Sequence, residues 1–152
     1  MIKLEAIAIR AKSKATMDEL TEVNVSISKG LAGDARGNPG KRQVSLLSAE
    51  QWGMACKVVG SKLPWTTRRA NILVSGVQFG AQHVNKIVCI GDLRMRVCAE
   101  TDPCIIMERA HRGLKNALMP DWRGGVLCEV LSPGDIKVGD EVILFNGQLE
   151  LE

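Results

Sequence analysis

Apolar and polar positions alternate along this chain in short stretches, and their spacing predicts most of its elements. Residues 3–10 form an apolar run of strand length. Val23, Val25 and Ile27 alternate with Asn24, Ser26 and Ser28, the period of two of a half-buried strand. Residues 43–47 and 71–75 read as further short strands, the second ending at Gly76. Residues 86–90 and 93–99 flank Gly91-Asp92 and predict a hairpin. In its second arm Leu93, Met95 and Val97 face one way, and Arg94 and Arg96 the other. Residues 126–131, introduced by Gly124-Gly125, and 141–145, after the turn at Ser132-Pro133-Gly134-Asp135, complete the strands.

Two stretches carry the helical period instead. Trp52, Ala55, Cys56 and Val59 share one face of a helix that starts at Ser48 and stops at Gly60. Gln51, three residues after Ser48, is placed as its capping-box partner. A longer helix is predicted over 103–118, with Ile106, Ala110, Leu114, Ala117 and Leu118 as its apolar stripe. Turn formers dominate 30–34 and 36–40, a glycine-rich loop. Many short strands with two helices between them imply a mainly β (α+β) fold, a closed or partly closed barrel.

Composition narrows the class. At 152 residues one domain with a real core is expected, over 1–150, and the terminal Leu151-Glu152 reads as an expression-tag remnant. The net charge of +3 permits an anionic ligand without the basic stripe of a nucleic-acid binder. Aromatic residues are 3% with no Tyr, too few for base-stacking platforms, so no nucleic-acid partner is expected. No apolar run reaches the length of a membrane span, so no membrane association is expected either. The first residues lack a signal peptide's basic start and apolar stretch, which predicts a cytoplasmic protein with reduced thiols. The 5 cysteines are therefore not read as a disulfide framework, and without a Cys-x-x-Cys pair they do not suggest structural zinc.

The chemistry concentrates at Glu100-Thr101-Asp102-Pro103-Cys104. Asp102 suits an N-cap and Pro103 a first helical residue, which puts Cys104 in the first turn. Free backbone N–H groups and the helix dipole favour a thiolate there, while Glu100 and Asp102 oppose it. A thiolate is a nucleophile and a soft metal ligand. The plainer reading is a thiol that only packs. Packing is the reading for Cys56 on its helix face and for Cys89, Cys98 and Cys128 inside strands. His111 shares the helical face of Cys104 about two turns away, and His83 falls in a loop. Both read as surface or packing residues, and no Ser-His-Asp or metalloprotease spacing occurs.

Taken in order, these pieces resemble the molybdenum cofactor sulfurase C-terminal domain, or MOSC, family in its small standalone bacterial form. The resemblance runs from about Gly30 to Leu144. Its motifs are Gly30-Leu31-Ala32-Gly33-Asp34, Arg42-Gln43-Val44, Thr67-Arg68-Arg69-Ala70-Asn71 with Gly76, and Ile90-Gly91-Asp92. Pro103-Cys104, Arg123-Gly124-Gly125 and Gly134-Asp135-Ile136-Lys137-Val138-Gly139-Asp140 follow. The resemblance implies a β-barrel with a few short helices. It also implies molybdenum cofactor binding, sulfur transfer or both, with Cys104 as metal ligand or persulfide carrier. Some members follow a pyridoxal-phosphate desulfurase domain, and none is present here, so no pyridoxal phosphate is expected on this chain.

The implied cofactor is an anionic pterin dithiolene bearing a phosphate, which needs cations, backbone donors and a soft ligand. Arg68 and Arg69 could offer a guanidinium fork. In an extended segment they point to opposite sides, so only one need face the site. Arg42 and Arg123 are further candidates from their motifs, and each of the four is otherwise a solvated surface cation. Asn71 either bonds the pterin or caps a turn. Gly33 and Gly125 either admit a ligand close to the backbone or only permit positive φ. Asp34 is a candidate that would anchor its own loop as an Asx turn, and Asp140 reads as structural.

Three functions stand side by side. The first is a cofactor-binding or sulfur-carrying domain using Cys104. The second is a molybdenum-dependent reductase of N-hydroxylated compounds, working with a partner reductase. The third is a non-catalytic binding module. The partners these imply are the anionic pterin and a sulfur donor or reductase protein.

Overall fold

The structure is a computed structural model that describes residues 1–146, so Leu151 and Glu152 lie outside the described residues. In chain order its elements are β1 (Ile2–Ile9), β2 (Asp18–Leu20), β3 (Glu22–Ser26), β4 (Gly30–Leu31), β5 (Val44–Ser48), α1 (Ala49–Val59) and β6 (Ile72–Ser75). Then come β7 (Lys86–Ile90), β8 (Leu93–Glu100), α2 (Ile105–Ala110), α3 (Leu114–Leu118), β9 (Val126–Ser132), β10 (Gly134–Lys137) and β11 (Glu141–Asn146).

Seven strands close into a barrel in the order β1-β11-β7-β8-β9-β5-β6 and back to β1. Closure is made where Ile2 faces Val142 and Lys3 faces Glu141. β5 and β6 run parallel, with α1 as their crossover, and the other barrel neighbours are antiparallel. A bulge between Leu4 and Ala6 shifts the register of β1 against β6. β2 extends the free edge of β1, and β10, β3 and β4 form a separate three-stranded sheet.

The alternation read from the sequence sets the core. Leu4, Leu46, Ile72, Val88, Met95, Val97 and Val126 are buried in one apolar cluster inside the barrel. Neighbouring Leu47 on β5 belongs to the other cluster, under α1 and α3, with Trp52, Ala55, Met107, Leu114 and Leu118. Thus β5 has apolar neighbours on both sides, and the helices pack on the outer wall. Among the described residues no helix is long and apolar enough to cross a membrane.

Four local expectations change. Ser48 caps α1 through Gln51 N at 3.2 Å, but the Gln51 side chain does not reach back to it. Gln51 instead bonds both backbone groups of Phe79 and the Asp121 carbonyl. The helix expected over 103–118 is two, because His111 is extended and Gly113 takes φ +87°, which only glycine adopts freely. Ile106 and Ala110 are consequently exposed, and Met107 is buried in their place. Ile27 lies beyond the end of β3 and is exposed, and the 30–34 loop contains β4.

Candidate functional site

Distant chain segments meet around a cleft of about 750 Å³ beside β5 and β6. The end of β1 contributes Arg10, the loop before β5 contributes Arg36, Lys41 and Arg42, and the turn before β6 contributes Arg68 and Arg69. The link between β8 and α2 adds Thr101, Asp102 and Cys104. Six cations thus line the cleft against one carboxylate, Asp102, so its field favours an anion.

Cys104 is exposed. It is itself the N-cap of α2, with φ −121° and ψ −176°, rather than a residue of the first turn. Asp102 is therefore not the cap, and α2 has only 6 residues. The stretch leading to the thiol is held from outside. Arg68, 8% exposed, donates from Nε to the Gly124 carbonyl at 3.0 Å and from Nη2 to the Thr101 carbonyl at 3.1 Å. Thr101 N donates to the Gly125 carbonyl at 2.8 Å. The glycine pair makes room for this. A Cβ on Gly124 would sit 2.3 Å from Thr101 O, and one on Gly125, at φ +97°, would sit 2.3 Å from Leu46 O. Burial pushes the Arg68 guanidinium below its usual pKa, while Cys104 and Asp102 act the other way.

The remaining wall is a polar network. Asn71 Oδ1 accepts from Ser45 N and Oγ at 3.1 and 3.3 Å. Its Nδ2 donates to Ala8 O at 3.3 Å and to Asp34 Oδ2 at 3.2 Å. The amide therefore ties β1, β5 and β6 together with all four of its hydrogen-bonding positions in use. Asp34 does not form an Asx turn in its own loop: its Oδ1 accepts from Arg10 N at 3.0 Å, far along the chain. Gln43 organises the loop before β5, with Nε2 donating to Ile27 O and Gly37 O and Oε1 accepting from Val130 N.

Arg42, Arg68, Arg69, Asn71 and Cys104 all line the cleft. Arg68 and Arg69 are not in extended backbone. Arg68 ends the 3-10 turn Trp65–Arg68, and Arg69 follows at φ +65°, which lets both face the cleft. Asp34 sits behind the lining, and Gly33 turns beside Ile9 at φ +84°. Gly125 supports the backbone behind Cys104. Arg123 lies outside the lining, with Nη1 donating to Ala117 O at 3.2 Å and an ion pair to Asp121 at 3.7 Å. Arg10 and Gln43 carry roles in the wall that sequence reading did not assign. The available signal was a cation ending an apolar strand and an amide starting one.

The other titratable groups stand apart. His111 Nε2 lies 3.0 Å from Ser61 Oγ, and its ring is no longer on a helix shared with Cys104. His83 is buried, and its Nδ1 accepts from Gly80 N at 3.0 Å. Burial, with Lys86 nearby, pushes its pKa below the usual value. Cys89 and Cys128 are buried, and Cys56 and Cys98 are half-buried. Burial, then Glu129, pushes the Cys98 thiol up. Among the described residues no three His, Cys, Asp or Glu side chains converge on a metal position.

The family model described as MOSC domain matches residues 26–143. The fold is similar to the crystal structure of the YUAD protein from Bacillus subtilis, with TM-score 0.79, 18% identity and coverage of 95% of this chain and 96% of that one. It is also similar to YiiM from Geobacillus stearothermophilus, with TM-score 0.75, 15% identity and coverage of 96% and 76%. For YiiM from Escherichia coli the values are 0.73, 13%, 95% and 70%. No curated protein matches the chain.

Proposed function

Because this chain belongs to the MOSC domain family, we propose that its cleft binds the molybdenum cofactor, with Cys104 as the thiolate ligand to the metal. The family is associated with that cofactor and with sulfur-related roles. One observation carries the assignment: the exposed thiol shares its cleft with six cations and a single carboxylate.

The donor set suits the group. A thiolate is a soft ligand suited to molybdenum, and Cys104 would add a protein sulfur to those the dithiolene brings. When bound, the cofactor supplies redox chemistry at molybdenum. The chain's own work is to hold it. Arg42, Arg69 and Asn71 line the same space as Cys104, and the two arginines offer cations to an anionic pterin. Asn71 has its hydrogen bonds committed within the protein, so its support is mainly through the shape of the wall. Arg68 keeps the Cys104 segment in place and supplies positive charge beside the thiolate.

The exposure of Cys104 favours a second reading, a sulfur carrier. Its thiolate would attack the outer sulfur of a donor persulfide, the donor thiolate would leave, and Cys104 would hold the sulfur as a persulfide. Native protein from a cofactor-making host tests both, by elemental analysis, pterin fluorescence and cyanide release of labile sulfur. Cofactor binding predicts molybdenum and pterin in wild type and loss of the metal in Cys104→Ala. The carrier predicts cyanide-labile sulfur on Cys104 alone. Neither metal nor labile sulfur in wild type would refute both.

A further inference from the structure

The helix that follows the thiol turns apolar side chains to solvent. α2 has only 6 residues and is held on the core through one of them, Met107, which is 1% exposed. Ile105 and Ile106 are 51% and 49% exposed, and no other two adjacent large hydrophobic residues face outward among the described residues. The exposed Cys104 adjoins them. Ile106 lines the cleft, so a ligand there would cover it, but Ile105 lies outside the lining.

The charge around this apolar pair has one dominant sign. Arg109, one turn on from Ile105, and Arg112 are both exposed. Among the described residues neither makes an ion pair. Glu108 is half-buried, with its Oε2 accepting from Gly113 N at 2.9 Å. Asp102 is the one exposed carboxylate between residues 100 and 115. On the cleft itself Arg36, Lys41 and Arg42 are exposed as well. An outward apolar pair flanked by cations suits a protein partner: apolar contacts at the centre supply affinity, and the charges steer a surface of opposite sign.

We infer that this face of α2 docks an acidic protein that delivers sulfur to Cys104. The partner would set apolar side chains on Ile105 and Ile106 and carboxylates against Arg109 and Arg112, which brings its persulfide to the neighbouring thiol. The Cys104 thiolate takes the outer sulfur, and the partner's thiolate leaves. The inference rests on the sulfur-carrier reading above and names the chemistry of the donor.

The test uses the full chain and three synthetic helical peptides, each with one cysteine activated as its mixed disulfide with thiopyridone. One peptide surrounds that cysteine with leucine and glutamate, one with leucine and lysine, and one with serine and glutamate. The Cys104 thiolate attacks the peptide sulfur, the Cys104–peptide disulfide forms, and thiopyridone leaves. Its release gives the rate, and mass spectrometry identifies the residue modified. Rates are divided by the rate with dithiodipyridine, a small uncharged disulfide, which removes any change in the thiol itself. With wild type the leucine–glutamate peptide should react at least about ten-fold faster than either of the others. Ile105→Ser should slow it about five-fold, the effect of losing half the burial of an isoleucine. Arg109→Gln should reduce the preference for glutamate over lysine, and Arg36→Gln, which removes an equal charge from the cleft, should reduce it less.

The inference is overturned if the three peptides react at equal normalised rates, if Ile105→Ser leaves the leucine–glutamate rate unchanged, or if Arg36→Gln reduces the preference as much as Arg109→Gln. A wild-type dimer in sedimentation that Ile105→Ser dissociates would assign the face to a second copy of this chain and overturn it too. Failure of the carrier reading looks different: the peptides are discriminated as described, while native protein holds no cyanide-labile sulfur.

Discussion

Replacing Arg68 by methionine separates two jobs of one side chain. The Arg68→Met side chain would fill most of the buried volume but leave the Thr101 and Gly124 carbonyls without their donor. Each unsatisfied buried carbonyl costs about 1–3 kcal/mol. Removing a buried charge recovers part of that, because Arg68 sits where burial disfavours its ionised form. A net loss of about 3 kcal/mol follows. For a chain of this size that corresponds to a fall in Tm of about 6–12 °C. Lysine keeps the charge but cannot span both carbonyls, so Arg68→Lys should lose about half as much. Urea unfolding measures this effect. The second readout is the rate of Cys104 alkylation by iodoacetamide, resolved by mass spectrometry near neutral pH. Methionine should slow it, because the thiolate loses its neighbouring cation, and lysine should restore most of the rate. Both readouts therefore order the variants wild type, lysine, methionine, but lysine recovers most of the reactivity and only about half of the stability. An Arg68→Met protein with the wild-type urea midpoint would refute the clamp. Equal alkylation rates in the lysine and methionine variants would refute the electrostatic role.

Three further outcomes can be checked. Gly124→Ala places a methyl 2.3 Å from the Thr101 carbonyl, so it should destabilise by about 2 kcal/mol or more in urea unfolding and change Cys104 alkylation, with no new charge involved. Gln51→Ala strips three hydrogen bonds that join α1 to Phe79 and Asp121, and should cost about 3 kcal/mol by the same assay. His83 has a pKa depressed by burial, so the unfolded chain binds more protons than the native state. Its contribution is present above the unfolded pKa of about 6.5 and is lost as pH falls through the lower folded value. Wild type should lose urea stability over that range, and His83→Gln should lose less.

Where burial follows local alternation, the sequence was enough to read the fold. The β7–β8 hairpin needed only its two-residue turn and the Leu93, Met95, Val97 face. Where a side chain's partners are remote, it was not. Gln43 looks like an ordinary polar residue at a strand start, yet it bonds Ile27, Gly37 and Val130. The single long helix was a natural misreading, because Leu114, Ala117 and Leu118 continue the spacing of Ile106 and Ala110. Gly113 carried the contrary signal. The thiol could be singled out from Pro103-Cys104, but the cleft around it joins segments from Arg10 to Leu127. Its charge balance is a tertiary property that no local pattern carries. The same applies to Arg68, whose two acceptors lie at residues 101 and 124.

The closing seam of the barrel has a consequence for how the protein is made. Among the described strands β1 is synthesised before the others, and one of its barrel partners, β11, after them. During synthesis β1 can pair with β6 and the hairpin can form, while the ring stays open with an unpaired edge at the seam. Such an edge is a template for pairing with other chains until β11 seals it. Long-range closure of this kind is also slow, because the loop must be ordered before its contacts reward it. Chains stalled before Glu141 should therefore be much more dependent on chaperones than chains released after Asn146.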